Sequence, residues 1–461
     1  MPELLIVGFY FAIMLIVGIY VYRRGRVSKS DGFYVADRKG SSLLITGSLL
    51  ASIIGASSTL GLAGWGFTRG LTGMWWLLVG SVGLIVLSFT WIKTIRRFGL
   101  YTLPELVERQ YGKEAGFVAS ILIVISWVAI IAAQIIAAGK VLGILVDGSD
   151  TLLMVIPALV FIAYTVLGAQ YSIIRTDFIQ SILLIGGIIV ALFLVLSKVG
   201  WVDGLMNSDI LTSEYFSFPI RDTFGWIDLV TLLILTGGTY VVGPDIYSRI
   251  FCAKNEEVAK SSTLYVGLAI IPISFCIVII GMGAKVLYSA EISSEQAFPY
   301  VIGNLLPVGL SGLVTAALLA AIMSSADTCL LTTSTIFTED IYKRIFPNTG
   351  EQQRLLISRL GILIIGIIAL LIALQLGGII SSLLYAYTIF TSGIVIPVLI
   401  GFHRDKFKVN SAGALAAIIG GGVTALVVKL MEADDFQLLG VGVCILLLFG
   451  VSWITGRRRI T

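Results

Sequence analysis

Apolar runs of about 20 residues recur along nearly the whole chain, separated by short charged loops. A helix needs about that length to cross the hydrocarbon core of a bilayer. Only 13% of the 461 residues are charged and 57% are hydrophobic, whereas soluble domains average about 25% charged. No soluble core absorbs that much apolar surface, so the expected fold class is an all-α integral membrane protein. Runs near 5–22, 41–66, 71–92, 114–147, 150–168, 173–198, 225–246, 260–289, 306–337, 354–376, 378–401, 410–430 and 436–456 predict about 13 transmembrane helices. The first is expected to be retained rather than cleaved. Glu3 precedes it and Arg23, Arg24 and Arg26 follow it, the reverse of a secretory signal.

The basic residues orient this arrangement. With the N-terminus outside, 25 of the 31 Lys and Arg fall on cytoplasmic segments. The other six are Arg69, Lys140, Lys198, Arg221, Lys285 and Lys429. That bias is what the positive-inside rule requires. The chain is therefore expected in the cell membrane, N-terminus outside and C-terminus cytoplasmic. Because the basic residues flank spans and form no single patch, the net charge of +4 implies no nucleic-acid partner. The expected partners are the lipid bilayer and a small-molecule solute.

The middle ten spans divide into two sets of five, which forces opposite orientations. Residues 41–198 form the expected first repeat and 225–401 the second. Residues 1–40 and 410–461 are expected to be peripheral. The first member of each set is interrupted by glycine and small polar residues, Gly55-Ala56-Ser57-Ser58 in one and Thr236-Gly237-Gly238-Thr239 in the other. Paired broken helices in inverted repeats point to a binding site at the bilayer midplane. A break exposes carbonyls that no amide four residues on can satisfy, and hydrocarbon offers them no water. Hard cations prefer oxygen ligands, so sodium is a suitable partner.

An enzyme is not expected. The one histidine, His403, sits in a basic loop, no His-Glu-x-x-His occurs, and the four cysteines have no metal or disulfide spacing.

In the ninth span, Ala320-Ala321-Ile322-Met323-Ser324-Ser325-Ala326-Asp327 places Ala321, Ser324 and Ser325 on one helix face. Spacing alone leaves two readings open, an oxygen half-shell for sodium or small residues that let helices pack closely. The stretch resembles the ninth-helix signature of the sodium/solute symporter family, whose members carry sugars, proline, pantothenate, sialic acid and similar solutes. Ser48-Leu49-Leu50-Ala51-Ser52-Ile53-Ile54-Gly55 resembles the family's broken second helix. Arg175-Thr176-Asp177-Phe178-Ile179-Gln180 resembles its sixth-helix motif, and Pro244-Asp245-Ile246-Tyr247-Ser248-Arg249 the end of its seventh. Gly168-Ala169-Gln170 departs from the family's Gly-Gly-Leu-like turn.

The resemblance implies a leucine-transporter-type five-plus-five core and sodium-coupled symport by alternating access, with a proton-coupled symporter of the same fold as the alternative. Carried over by position, the sodium ligands are the carbonyls of Ala51, Ile54 and Ala321 and the hydroxyls of Ser324 and Ser325. Asp177 is implied for a second sodium or the exit path, or else a salt bridge to Arg175 or another inner basic residue. Asp327 is expected as a hydrogen-bond partner within the bundle. Asp245 and Arg249 are expected at an inner gate or as a snorkelling pair. The candidate solute contacts are Ser57, Ser58, Gln134, Thr236, Thr239, Tyr240, Tyr385, Thr388 and Thr391. Trp75 and Trp76 are either cavity or interfacial residues. With no charged residue evident at the midplane, the expected solute is neutral, zwitterionic or a monocarboxylate.

Overall fold

The computed structural model describes residues 2–290, 292–375, 378–433 and 436–457; the basic tail expected inside lies, beyond 457, outside the described residues. The regular structure of the described residues is helical. They contain no strand, only two isolated bridge pairs, Gly40 with Ala253 and Arg221 with Phe224. Eleven helical stretches are long and apolar enough to cross a membrane.

Several of those stretches are composite. Ser57–Phe89 contains a tight 3-10 segment at Gly70–Met74. Asp150–Val199 has 50 residues, about 75 Å of helix at 1.5 Å per residue and more than twice a hydrocarbon core. Ala169, at φ 43° and ψ −157°, divides it, at the turn anticipated between 168 and 173.

Burial ranks the helices. In Leu310–Ile345, 94% of the most apolar window is buried, against 28% in Pro2–Arg23. The central helix is rich in Ala, Ser and Thr, whose small side chains let neighbours approach closely. It packs against Lys113–Leu142, Asp150–Val199 and Ser42–Ile53.

Both first members of the expected repeats are broken, though one break is displaced. The helix Ser42–Ile53 ends at Ile54 (φ −90°, ψ 70°), and helical winding resumes from Ser57. In the other, Thr236-Gly237-Gly238-Thr239 stays helical, with Gly237 at φ −59° and ψ −36°. The chain leaves the helix at Gly243 (φ −65°, ψ 129°), just before Pro244. Proline forces the preceding residue out of the α region, whereas a mid-helix glycine is only mildly unfavourable. Gly238 serves packing instead, since a Cβ there would lie 3.2 Å from Val395.

The Ala169 conformation is one that glycine adopts freely and L-residues adopt at a cost of about 1–3 kcal/mol. Ala169→Gly should stabilise the fold by about 1 kcal/mol once the lost methyl is offset. In detergent, scanning fluorimetry should read a rise of about 1–2 °C; a fall would show that the bend is unstrained.

Candidate functional site

The break after Ile53 leaves backbone groups that must find partners, because buried peptide groups are paired in nearly every native fold. Ser324 Oγ lies 2.9 Å from the Ala51 carbonyl. Ser325 Oγ donates to Ser52 O at 2.7 Å and lies 3.4 Å from Ala51 O. Ser58 Oγ donates to Ile53 O at 2.8 Å. On the far side, the Ala56 amide donates to Gln134 Oε1 at 2.9 Å. Four backbone groups at the break are therefore held by side chains, two of which come from the central helix.

Ser324 Oγ also lies 2.8 Å from Ala321 O. A hydroxyl has one proton and cannot donate to two carbonyls at once; a cation between them can satisfy both. Among the described residues no Lys or Arg hydrogen-bonds to these oxygens, and no three His, Cys, Asp or Glu cluster anywhere as a metal set. The result is a buried set of neutral oxygens, a donor chemistry that fits a hard monovalent cation. Four of the five expected ligands, Ala51, Ala321, Ser324 and Ser325, are brought together. Ile54 is buried at the break itself. Sequence reasoning missed the Ser52 carbonyl and the hydrogen bond by which Gln134 holds the break. It also missed that Gly55 has no room for a side chain: a Cβ there would lie 2.3 Å from Ser325 Oγ.

A polar chain leads away from this cluster. Thr328 Oγ1 donates to Ser324 O at 2.6 Å and lies 3.1 Å from Ser52 Oγ. Arg249 Nη2 contacts Thr328 Oγ1 and donates to Asp177 Oδ2 at 2.9 Å. Ser48 Oγ donates to the same carboxylate oxygen at 2.5 Å. Both charged side chains are fully buried. Asp177 therefore pairs with Arg249 and not with Arg175, which lies over the Tyr171 ring and donates to Tyr171 O. Nor is Arg249 a snorkelling partner of Asp245. Asp327 is buried as expected; its Oδ1 lies 3.4 Å from Thr328 Oγ1, on its own helix, and its Oδ2 has no hydrogen-bond partner.

Beside the cluster lies a cavity of about 40 Å³, room for a few waters. Ser57, Gln134, Thr239 and Tyr240 line it, as anticipated, and so does Ser325. The other candidates stand elsewhere. Ser58 is engaged by Ile53 O, Thr388 by Leu384 O and Thr391 by Leu235 O. Thr236 is buried without a hydroxyl partner. Tyr385 points outward to Lys429 O, and Tyr387 takes the cavity position instead. Two residues on a helix differ by about 200°, so the alternative tyrosine faces the other way. Trp76 is neither cavity nor interface; it is buried edge-on against Trp65. Trp75 stacks on Phe218. Trp127, Cys329 and Asp245 also line the cavity and were not anticipated there.

Two outcomes test this geometry. Gly55→Ala should push the broken helix off Ser325 and raise the sodium concentration for half-maximal stabilisation at least tenfold; an unchanged sodium response would refute the tight fit. Arg249→Met or Asp177→Ala alone strands a buried charge, at about 3–5 kcal/mol. The double variant should recover most of the loss in thermal unfolding, which a pair of independent roles would not.

Residues 33–421 match the family model described as the sodium:solute symporter family. A sodium/glucose cotransporter of Vibrio parahaemolyticus is 27% identical over 93% of this chain and 85% of its own length. Sodium/glucose cotransporter 4 of Danio rerio is 27% identical over 93% of this chain and 72% of its own. The solved structure of a Na+-coupled sialic acid symporter in a substrate-bound outward-open state superposes with a TM-score of 0.83. It covers 98% of both chains at 20% identity. The broken helix, the serine pair facing it and a family match over most of the chain lead to one conclusion: this is a sodium-coupled membrane transporter, not an enzyme, and it belongs to the sodium:solute symporter family.

Proposed function

We propose that the chain carries a small organic solute, an amino acid, carboxylate or similar compound, together with sodium by alternating access. The observation that carries this reading is the double position of Ser325. Its hydroxyl meets the Ala51 and Ser52 carbonyls and also lines the cavity. Sodium held by Ala51, Ile54, Ala321, Ser324 and Ser325 would fix the broken helix against the central one and so shape the cavity wall. By linkage, sodium then raises solute affinity by the factor that solute raises sodium affinity.

The gradient supplies the drive, about 2.3 kcal/mol per charge per 100 mV of membrane potential. Release runs along the polar chain Thr328, Arg249, Asp177 and Ser48. Because Arg249 already neutralises Asp177, the exit-path role is favoured over a second sodium site. We read the chain as thirteen crossings in the cell membrane, N-terminus outside and C-terminus cytoplasmic. Two inverted repeats over 41–198 and 225–401 form the core, and 1–40 and 410–461 are peripheral. Splitting Asp150–Val199 at Ala169 supports that count.

The test is solute uptake in proteoliposomes with Ser324→Ala/Ser325→Ala. The double variant should lose at least tenfold in sodium-driven uptake while reconstituting normally. Full sodium dependence in it would end the assignment. Wild-type uptake driven by a pH gradient with no sodium present would favour proton coupling instead.

A further inference from the structure

The expectation of a solute without strong charge preference rested on there being no ionisable group at the midplane. The structure brings one to the cavity wall. Asp245 lines the cavity with Gln134 and Tyr240, and among the described residues it is the one Asp, Glu, Lys or Arg in that lining. It stands just after the Gly243 break, in the first turn of the helix Pro244–Cys252, where the helix dipole favours a carboxylate.

Its charge has no side-chain counter-ion. Arg249, one turn on, is committed elsewhere: Nη2 to Asp177 and Thr328, Nη1 to Ser248. Among the described residues no Lys or Arg forms an ion pair with Asp245. The Asp177–Arg249 pair cancels itself, so Asp245 is the acid left on the cavity wall without an ion-pair partner. Three aromatic side chains, Trp127, Tyr240 and Tyr387, share that wall. Aromatic faces attract cations, and an unpaired carboxylate in a low-dielectric site attracts one more strongly. A polyol would leave this charge uncompensated, and a carboxylate-only solute would meet repulsion.

We propose that Asp245 is the specificity-determining residue of the cavity and that the solute carries an ammonium group which binds its carboxylate. This rests on the symport reading and narrows its solute class to amino acids and related amines.

The experiment is a thermal-shift panel on the purified full chain, in NaCl and in KCl. Probes are the L-amino acids and simple primary amines, their des-amino carboxylates, and D-glucose, D-galactose and myo-inositol. A ligand that binds the folded state raises its melting temperature. In sodium, only ammonium compounds should raise it, and Asp245→Asn should weaken that binding at least tenfold, with Asp245→Glu recovering part. A sugar or des-amino carboxylate that binds where ammonium compounds fail overturns the proposal. So does the absence of any ammonium ligand, or an Asp245→Asn protein that binds one as the wild type does. The wild-type panel decides the matter even should the variants not fold. Equal stabilisation by an ammonium ligand in NaCl and KCl would uphold Asp245 and overturn sodium coupling.

Discussion

Everything at the centre of this protein follows from peptide groups left without partners where a helix stops inside apolar surroundings. Ser42–Ile53 ends at Ile54, and Ala51, Ser52 and Ile53 lose the amides that would have served their carbonyls. An unpaired buried group costs several kcal/mol in hydrocarbon. The fold answers with hydroxyls from Ser324, Ser325 and Ser58 and with the Gln134 amide oxygen. That response explains why the central helix carries serines rather than leucines at those positions. It also explains why Gly55 has no side chain, since Ser325 occupies the space a Cβ would take.

The same contacts tie ion, solute and release route into one structure. Ser325 touches both the oxygen cluster and the cavity. Ser324 connects through its carbonyl to Thr328 and from there to the buried Arg249–Asp177 pair. A buried pair adds little net stability, because desolvation offsets attraction. Its effect here is on placement: Arg249 gives its hydrogen bonds to Asp177, Thr328 and Ser248, and Asp245 lines the cavity without an ion-pair partner. The charge that the cavity presents is thus decided by which acid the arginine pairs with.

How far the sequence could be read varies with the kind of signal. The spans were legible because twenty consecutive apolar residues have few alternatives. The turn near 168–173 was legible too, although nothing in Gly168-Ala169-Gln170 announces that Ala169 itself adopts a positive φ. The second break was misplaced by one turn. Adjacent glycines drew attention to 237–238, but the missing N–H of Pro244 decided the matter. At the site, Ala51 came from one motif and Ala321, Ser324 and Ser325 from another, both through the family resemblance, and the structure brings the four together. Tyr385 failed and Tyr387 replaced it because helix phase near the π-wound segment Thr391–Val395 is not visible in residue types.

The family resemblance implied the carrier role and the serine pair, while composition, charge bias and apolar run length by themselves determined a membrane-embedded, all-helical chain with small polar residues interrupting two of its spans. These are properties of single segments, set by apolar length and by backbone hydrogen bonding within each. Only the tertiary structure decided that Arg249 pairs with Asp177, 72 residues away, and that Asp245 and Trp127 share a wall. Such pairings depend on which faces of distant helices meet, and two acids near one arginine look alike until packing brings one of them within reach.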